Sequence, residues 1–321
     1  MCAIVMRSAG GPEVLRLDEV PTPSPGPGEV LVRTHAAGLN FIEIYQRSGA
    51  YAVPLPFTPG SEGSGIVEAI GEGVEALRVG DRVCTTEASS GTYAEYFTVP
   101  AEAAVIVPDG IDLDVAAALP LQGITAHYLA TAAAHPKSGQ TVLVHAGAGG
   151  VGLLLTQVLV ARAVRVITTT SSADKAELSR AAGAWQSIDY DGFGEQVRAL
   201  TDGEGVPVVY DGVGRATFDE SLASLAVRGK LVLFGAASGP VPPFDLQRLN
   251  TGGSLSLTRP SLPHFLRTPA ERSSRYRELF TMIEAGTLDV RIGARFPLAE
   301  AGAAQSALAG RGTTGKVLLE P

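Results

Sequence analysis

The feature that most constrains this chain is Thr141-Val-Leu-Val-His-Ala146, followed at once by Gly147-Ala148-Gly149-Gly150-Val151-Gly152 and an apolar stretch running to residue 163. A near-continuous run of β-formers suits a parallel strand buried on both faces, and the segment after the glycines opens as a helix. Glycines at this spacing have a physical purpose. The first makes a tight turn, the second lets backbone approach a pyrophosphate, and the third allows close packing of helix on sheet. Backbone N–H groups at the helix start then face the phosphates. A chain with 38 glycines in 321 residues produces chance spacings; the strand before and the helix after give this one its meaning.

The surrounding sequence keeps the same alternation. Residues 164–170 read as the next strand, Ser172 as an N-cap, 173–182 as a helix and Gly183 as its left-handed stop. Strands are expected at 206–210 and 230–234, with a helix at 218–226 between them. Strand alternating with helix implies an α/β fold with a doubly wound parallel sheet across the middle of the chain. Earlier, short β-type runs at 3–7, 29–36, 65–70, 82–86 and 94–99 are punctuated by glycine and proline, with brief helix at 40–49 and from 112 onward. This is the pattern of a compact β module. From about 260, helices at 270–285 and 298–308 and a strand at 316–319 are too little to bury a core alone, so the tail is expected to pack back on the first module.

Composition excludes several classes. The formal net charge of -8 provides no basic stripe for nucleic acid or an anionic membrane, while leaving room for a local basic phosphate pocket. Cys2 and Cys84 can build neither a disulfide framework nor a four-cysteine zinc lobe, which points to a reduced, cytoplasmic chain. No signal peptide or membrane span is read; the longest apolar helical run, 151–163, is interrupted by Gln157 and Arg162. The five histidines lack ligand spacing. Gly315-Lys316 lacks the rest of a P-loop, and Gly60-Ser61-Glu62-Gly63 lacks the spacing of a nucleophile elbow.

The end of the second strand of the parallel sheet selects the dinucleotide. An NAD site places an acid there for the ribose 2′-OH, whereas a 2′-phosphate needs hydroxyls and a cation. Here Thr170 or Ser171 stands where the acid would, and Lys175 lies one turn into the next helix. Asp174 sits beside that lysine on the helix, away from the strand tip. The reading is NADP(H).

Several segments together resemble the zinc-independent quinone oxidoreductases, the zeta-crystallin-like branch of the medium-chain dehydrogenase/reductase superfamily. They include Asn40-Phe-Ile-Glu-Ile-Tyr45-Gln-Arg-Ser-Gly-Ala-Tyr51, Pro59-Gly-Ser-Glu-Gly63, Val79-Gly-Asp-Arg-Val83, His145 to Gly152, Val209-Tyr-Asp-Gly-Val-Gly214 and Thr258-Arg-Pro-Ser261. Zinc alcohol dehydrogenases are similar in fold but need metal ligands. Their first ligand position falls near Asn40, and their Gly-His-Glu is here Gly60-Ser61-Glu62. Without thiolate and imidazole no tetrahedral site forms there.

The resemblance implies a GroES-like β-rich catalytic domain at 1–122, a Rossmann NADP(H)-binding domain at 123–259 and a segment at 260–321 completing the first, with the nicotinamide in the cleft between domains. Position by position, it implies that Asn40, Tyr45 and Thr125 contact the nicotinamide end and its neighbourhood. Gly147 to Gly152 would hold the pyrophosphate, and Ser171, Lys175 and Tyr190 the adenosine 2′-phosphate. Phe234, Gly235, Thr258, Arg259 and Arg311 would surround the nicotinamide half. Gly212 and Ala237 replace serines of close relatives.

Hydride transfer from NADPH to an electron-poor acceptor needs positioning and exclusion of water, with no obligatory acid or base. Tyr45 and Tyr51 are candidates for donors to the developing charge or for stacking surfaces. Three functions are thus expected as alternatives: reduction of a quinone, reduction of an activated alkene such as an enone or alkenal, or NADPH binding with little turnover. A homodimer joined through an edge strand at 254–257 is a further expectation of the resemblance.

Overall fold

The computed structural model describes residues 1–321. In chain order its strands and helices are β1 Cys2–Val5, β2 Arg16–Glu19, β3 Glu29–Leu39, α1 Phe41–Arg47, β4 Glu62–Ile70, β5 Arg82–Thr85, β6 Tyr96–Pro100, β7 Val105–Ile106, α2 Leu113–Ala118 and α3 Pro120–Tyr128. There follow β8 Thr141–Val144, α4 Gly150–Val160, β9 Arg165–Thr169, α5 Ala173–Ala181, β10 Gln186–Ile188, α6 Phe193–Leu200, β11 Val206–Asp211, α7 Phe218–Ala223, β12 Leu225–Leu233, α8 Gln247–Thr251 and β13 Ser256–Thr258. The chain ends with α9 Pro269–Glu284, β14 Ile292–Pro297, α10 Ala301–Ala309 and β15 Lys316–Glu320.

Two units form. The first comprises Met1–Leu121, Thr268–Glu284 and Val290–Pro321; the second comprises Gln122–Arg267 and Ala285–Asp289.

In the first unit the main sheet runs β14-β15-β3-β4-β5-β7, with β6 also on β3, and β1 pairs separately with β2. The C-terminal β15 enters antiparallel to β3, setting Val317 against Leu39 and Leu319 against Ala37. Apolar side chains from both chain ends, including Ile4, Leu39, Leu298, Ala301 and Leu319, share one buried cluster. The last strand therefore belongs to the same core as the first.

In the second unit six strands run in the order β10-β9-β8-β11-β12-β13, and every pairing is parallel. Counted from β8 the order is 3-2-1-4-5-6, the doubly wound arrangement that reverses between its first and fourth strands. Buried Leu143, Ile167, Phe193, Val209, Phe218 and Leu231 form the core on one face of this sheet.

Several expected element boundaries shift by a few residues, and the largest strand shift has a clear cause. The helix expected at 218–226 stops at Ala223, and the strand expected from 230 begins at Leu225. Leu225 pairs with Val206 across a register shift, so sheet pairing overrides the helical preference of the local Ala/Leu-rich sequence.

Candidate cofactor and active site

The glycine loop joins β8 to α4 at the sheet's reversal point, where open α/β sheets bind ligands. Three of its four glycines have a steric reason. A Cβ on Gly147 would lie 2.5 Å from Thr168 Cβ and 2.6 Å from Ser179 Oγ, one on Gly152 would run into the Ala146 carbonyl, and one on Gly150 would strike Gln122 Oε1. Ala146 itself is held at φ 55°. The N-cap of α4 is Gly149, so no side chain caps the first turn. Its N–H groups and the positive end of the helix dipole fit a pyrophosphate. Ala148 is buried, and Val151 opens the helix beside Gly150.

At the tip of β9 the hydroxyls divide. Thr170 is buried and its Oγ1 lies 3.0 Å from Ser187 Oγ, turned into the structure. Ser171 is exposed and accepts from Lys175 Nζ at 3.4 Å. Ser172 caps α5 by accepting from the Lys175 N–H at 3.3 Å. A hydroxyl and an ammonium thus lie together where an NAD site would carry a carboxylate. Tyr190 stands at the loop's start, its oxygen accepting from the Ala146 N–H at 3.0 Å and its ring stacked on His145 with centroids 6.1 Å apart.

The loops after β11 and β12 approach closely. Asp211, fully buried, accepts from the N–H groups of Val213 at 2.7 Å and Gly214 at 2.9 Å. A Cβ on Gly212 would come within 2.8 Å of the Phe234 ring, and one on Gly235 would meet the Gly212 carbonyl. The serine expected in relatives at position 212 would therefore crowd Phe234. Thr258 ends β13 half-buried, with Arg259 exposed beyond it. Thr125 is buried on α3, one turn after Gln122. Arg311, in the first unit, is exposed with φ 59°.

Asn40 precedes α1 and is 4% exposed. Its Nδ2 donates to Glu62 Oε1 at 2.6 Å and its Oδ1 accepts from Lys316 Nζ at 2.8 Å. Lys316 also forms an ion pair with Glu62, and Glu62 Oε2 accepts from the Leu121 N–H at 2.7 Å. Glu43, three residues on, accepts from the Asn40 N–H at 2.8 Å and from Ser61 Oγ at 2.9 Å. Burial raises the Glu43 carboxyl above its usual range, opposed by Lys316. Burial likewise pushes the Lys316 ammonium down to about 7, opposed by Glu43. Further along, Tyr45 and Tyr51 pack with ring centroids 5.3 Å apart, and the Tyr51 N–H donates to the Tyr45 carbonyl at 3.0 Å. The sequence assigns no site role to Glu43, Glu62 or Lys316. Only Glu43 carried a signal, being three residues after an Asn N-cap.

His145, Ser221 and Asp211 also meet, in an order that serves structure. His145 Nε2 lies 2.9 Å from Ser221 Oγ, which donates to Asp211 Oδ2 at 3.0 Å, and His145 Nδ1 lies 2.9 Å from Thr169 Oγ1. The serine stands between histidine and acid, and all three are buried. A nucleophilic triad puts the histidine in the middle and exposes the hydroxyl.

Two family models match: an alcohol dehydrogenase GroES-like domain over residues 26–109 and a zinc-binding dehydrogenase over residues 150–283. A quinone oxidoreductase of Pseudomonas aeruginosa is 47% identical over 315 residues, covering 97% of each chain. The chain belongs to the quinone oxidoreductases of the medium-chain dehydrogenase/reductase superfamily. A mycobacterial protein solved in complex with NADPH superposes with a TM-score of 0.97 at 53% identity, each chain fully covered. A 2-haloacrylate reductase of a Burkholderia species is 39% identical over 329 residues, covering 99% of this chain and 98% of its own. In this member of the family, no group of three or more His, Cys, Asp or Glu is arranged to hold a metal ion. Asn40 and Ser61 occupy the positions that the resemblance aligns with zinc ligands, and the buried cation beside them is the Lys316 ammonium.

Proposed function

We propose that this chain is an NADPH-dependent quinone oxidoreductase. The observation that carries the reading is the tip of β9, where Lys175 and Ser171 lie together without a carboxylate, on the sheet that bears the uncapped glycine loop. NADPH, when bound, supplies a hydride to an electron-poor acceptor. The first-turn N–H groups of α4, with Gly147, Ala148, Gly149, Gly150, Val151 and Gly152, hold the pyrophosphate. Ser171 and Lys175 bind the 2′-phosphate, with Thr170 and Tyr190 shaping their surroundings. Thr125, Phe234, Gly235, Thr258, Arg259 and Arg311 serve the nicotinamide half. Asn40, Tyr45 and Tyr51 orient the ring and the acceptor, the phenols as donors to the charge that develops on the acceptor oxygen. No side chain is required as an obligatory acid or base, and no zinc is used.

The test is NADPH oxidation with a panel of quinones and activated alkenes, beside direct NADPH titration. Turnover with quinones supports the reading. A second reading, reduction of an activated carbon–carbon double bond, is favoured by the likeness to the 2-haloacrylate reductase; turnover confined to alkenes selects it. Tight binding with no oxidation across the panel selects a low-turnover NADPH-binding protein.

No helix is long and apolar enough to cross a membrane, and we place the protein in the cytoplasm. We further propose a homodimer joined through the edge at 254–257, which overlaps β13, one of the two outer strands of the parallel sheet. Light scattering of the purified protein tests it, and a monomeric mass contradicts it.

A further inference from the structure

Glu43, Glu62 and Lys316 are each at most 1% exposed. Well-packed apolar side chains often stabilise a protein as well as a buried ion pair does, so stability alone does not account for this cluster. Its geometry has a direction. The Asn40 carboxamide is held at both ends, Nδ2 toward Glu62 and Oδ1 toward Lys316. Turning it over would set an NH2 group against an ammonium and a carbonyl against a carboxylate, so opposite charges at its two ends select one orientation. The backbone N–H of the same residue is held by Glu43, which also holds Ser61. The start of α1 is therefore tied to β4 and, through Lys316, to the last strand of the chain. Tyr45 lies on that helix, and Tyr51 is bonded back to it.

We propose that Lys316 and Glu62 are positioning residues, whose buried ion pair fixes Asn40 and the start of α1 and so sets how Tyr45 and Tyr51 are presented to the nicotinamide and the acceptor. The inference rests on the proposal that this segment faces the reacting end of NADPH. The ion pair acts through Asn40 and exchanges no proton with substrate.

Lys316→Met alone leaves two buried carboxylates without a cation and is expected to unfold the first unit. The informative variant is therefore Lys316→Met with Glu62→Gln, which removes one charge of each sign and leaves the net charge of the cluster unchanged. It is expected to melt close to the parent and to bind NADPH within about two-fold in a fluorescence titration. Its kcat should fall roughly ten- to a hundred-fold, the scale of a misplaced reacting group, while KM for NADPH stays near the parental value. Its crystal structure should show the Asn40 carboxamide turned or in two orientations. Should the double variant not fold, Glu62→Asp keeps both charges, withdraws the carboxylate by one methylene, and is expected to show the same split between kcat and KM. Parental kcat with Asn40 unmoved in the folded variant overturns the clamp. A parent that reduces no acceptor overturns the functional reading instead, and the orientation of Asn40 in the variant still decides the clamp.

Discussion

The phenolic oxygen of Tyr190 accepts a hydrogen bond from the backbone N–H of Ala146 at 3.0 Å, which ties the turn after β10 to the residue where the glycine loop begins. Ala146 is held in the left-handed region at φ 55°, and Thr169 Oγ1 also accepts from its N–H at 3.3 Å. We infer that this bond acts on the glycine loop, which both dinucleotides would share, in addition to any part Tyr190 takes beside the 2′-phosphate. Tyr190→Phe removes the acceptor and keeps the ring on His145. A neutral hydrogen bond is worth about 1 kcal/mol, or about five-fold in affinity. The expected result is a loss of about that size for NADPH and NADH alike, read by titration with each. A loss confined to NADPH would instead place the phenol on the 2′-phosphate.

Lys175 should behave in the opposite manner. A charge-assisted contact to phosphate is worth about 1.5–3 kcal/mol, so Lys175→Ala should weaken NADPH binding by roughly ten- to a hundred-fold and leave NADH nearly unchanged. The NADPH preference of the parent should also decline as salt rises, because the lysine is only half-buried on α5. Equal affinity of the parent for the two cofactors contradicts the assignment.

Gly152 and Gly110 provide a matched pair. A Cβ at Gly152 would collide with the Ala146 carbonyl, whereas one at Gly110 meets nothing within 4 Å. Gly152→Ala is expected to cost about 1–3 kcal/mol through backbone displacement and to weaken both cofactors. Gly110→Ala should change melting and binding little. Comparable melting temperatures for the two variants would show that the loop yields at no cost.

Metal analysis addresses the cation beneath α1. The Lys316 amine fills the space beside Glu62 and Asn40, and neither Asn40 nor Ser61 offers the thiolate or imidazole that zinc favours. Purified protein is expected to contain no stoichiometric zinc and to keep its NADPH oxidation after chelation. Activity lost to a chelator and restored by zinc would reverse this assignment.

The turn, the cap and the helix starts around the candidate site were legible in the sequence, because they lie close together in the chain. The glycine loop, the N-cap Ser172 and Lys175 fall within 30 residues, and each acts through local geometry: a turn, a cap, a helix start. The clamp was not legible, because Lys316 lies 276 residues from Asn40 and 254 from Glu62. Nothing in a one-dimensional pattern marks a lysine at the head of a terminal strand as buried. Short elements escaped for another reason. Helix α6 keeps only Phe193 and Val197 inside, and β10 is three half-buried residues, so neither shows a sustained period. The misplaced start of β12 reflects a strand partner, Val206, that lies 19 residues before Leu225 in sequence and wins over local preference.

His145 makes the stability of the second unit depend on pH. Burial lowers its pKa from 6.5 to about 4, opposed by the attraction of Asp211. In the unfolded chain the imidazole titrates near its ordinary value, so between pH 6.5 and about 4 the unfolded state binds a proton that the folded state refuses. The contribution of the neutral imidazole is fully present above pH 6.5 and is lost progressively as pH falls toward 4. His145→Asn forfeits hydrogen bonds to buried hydroxyls of Thr169 and Ser221, at a cost of about 1–3 kcal/mol near pH 8. The variant has no imidazole to protonate, so its deficit relative to the parent should shrink as the pH approaches 4. Urea unfolding of both proteins at pH 8 and pH 4.5 measures the gap. A deficit that widens on acidification would mean that His145 is charged in the folded protein and paired with Asp211.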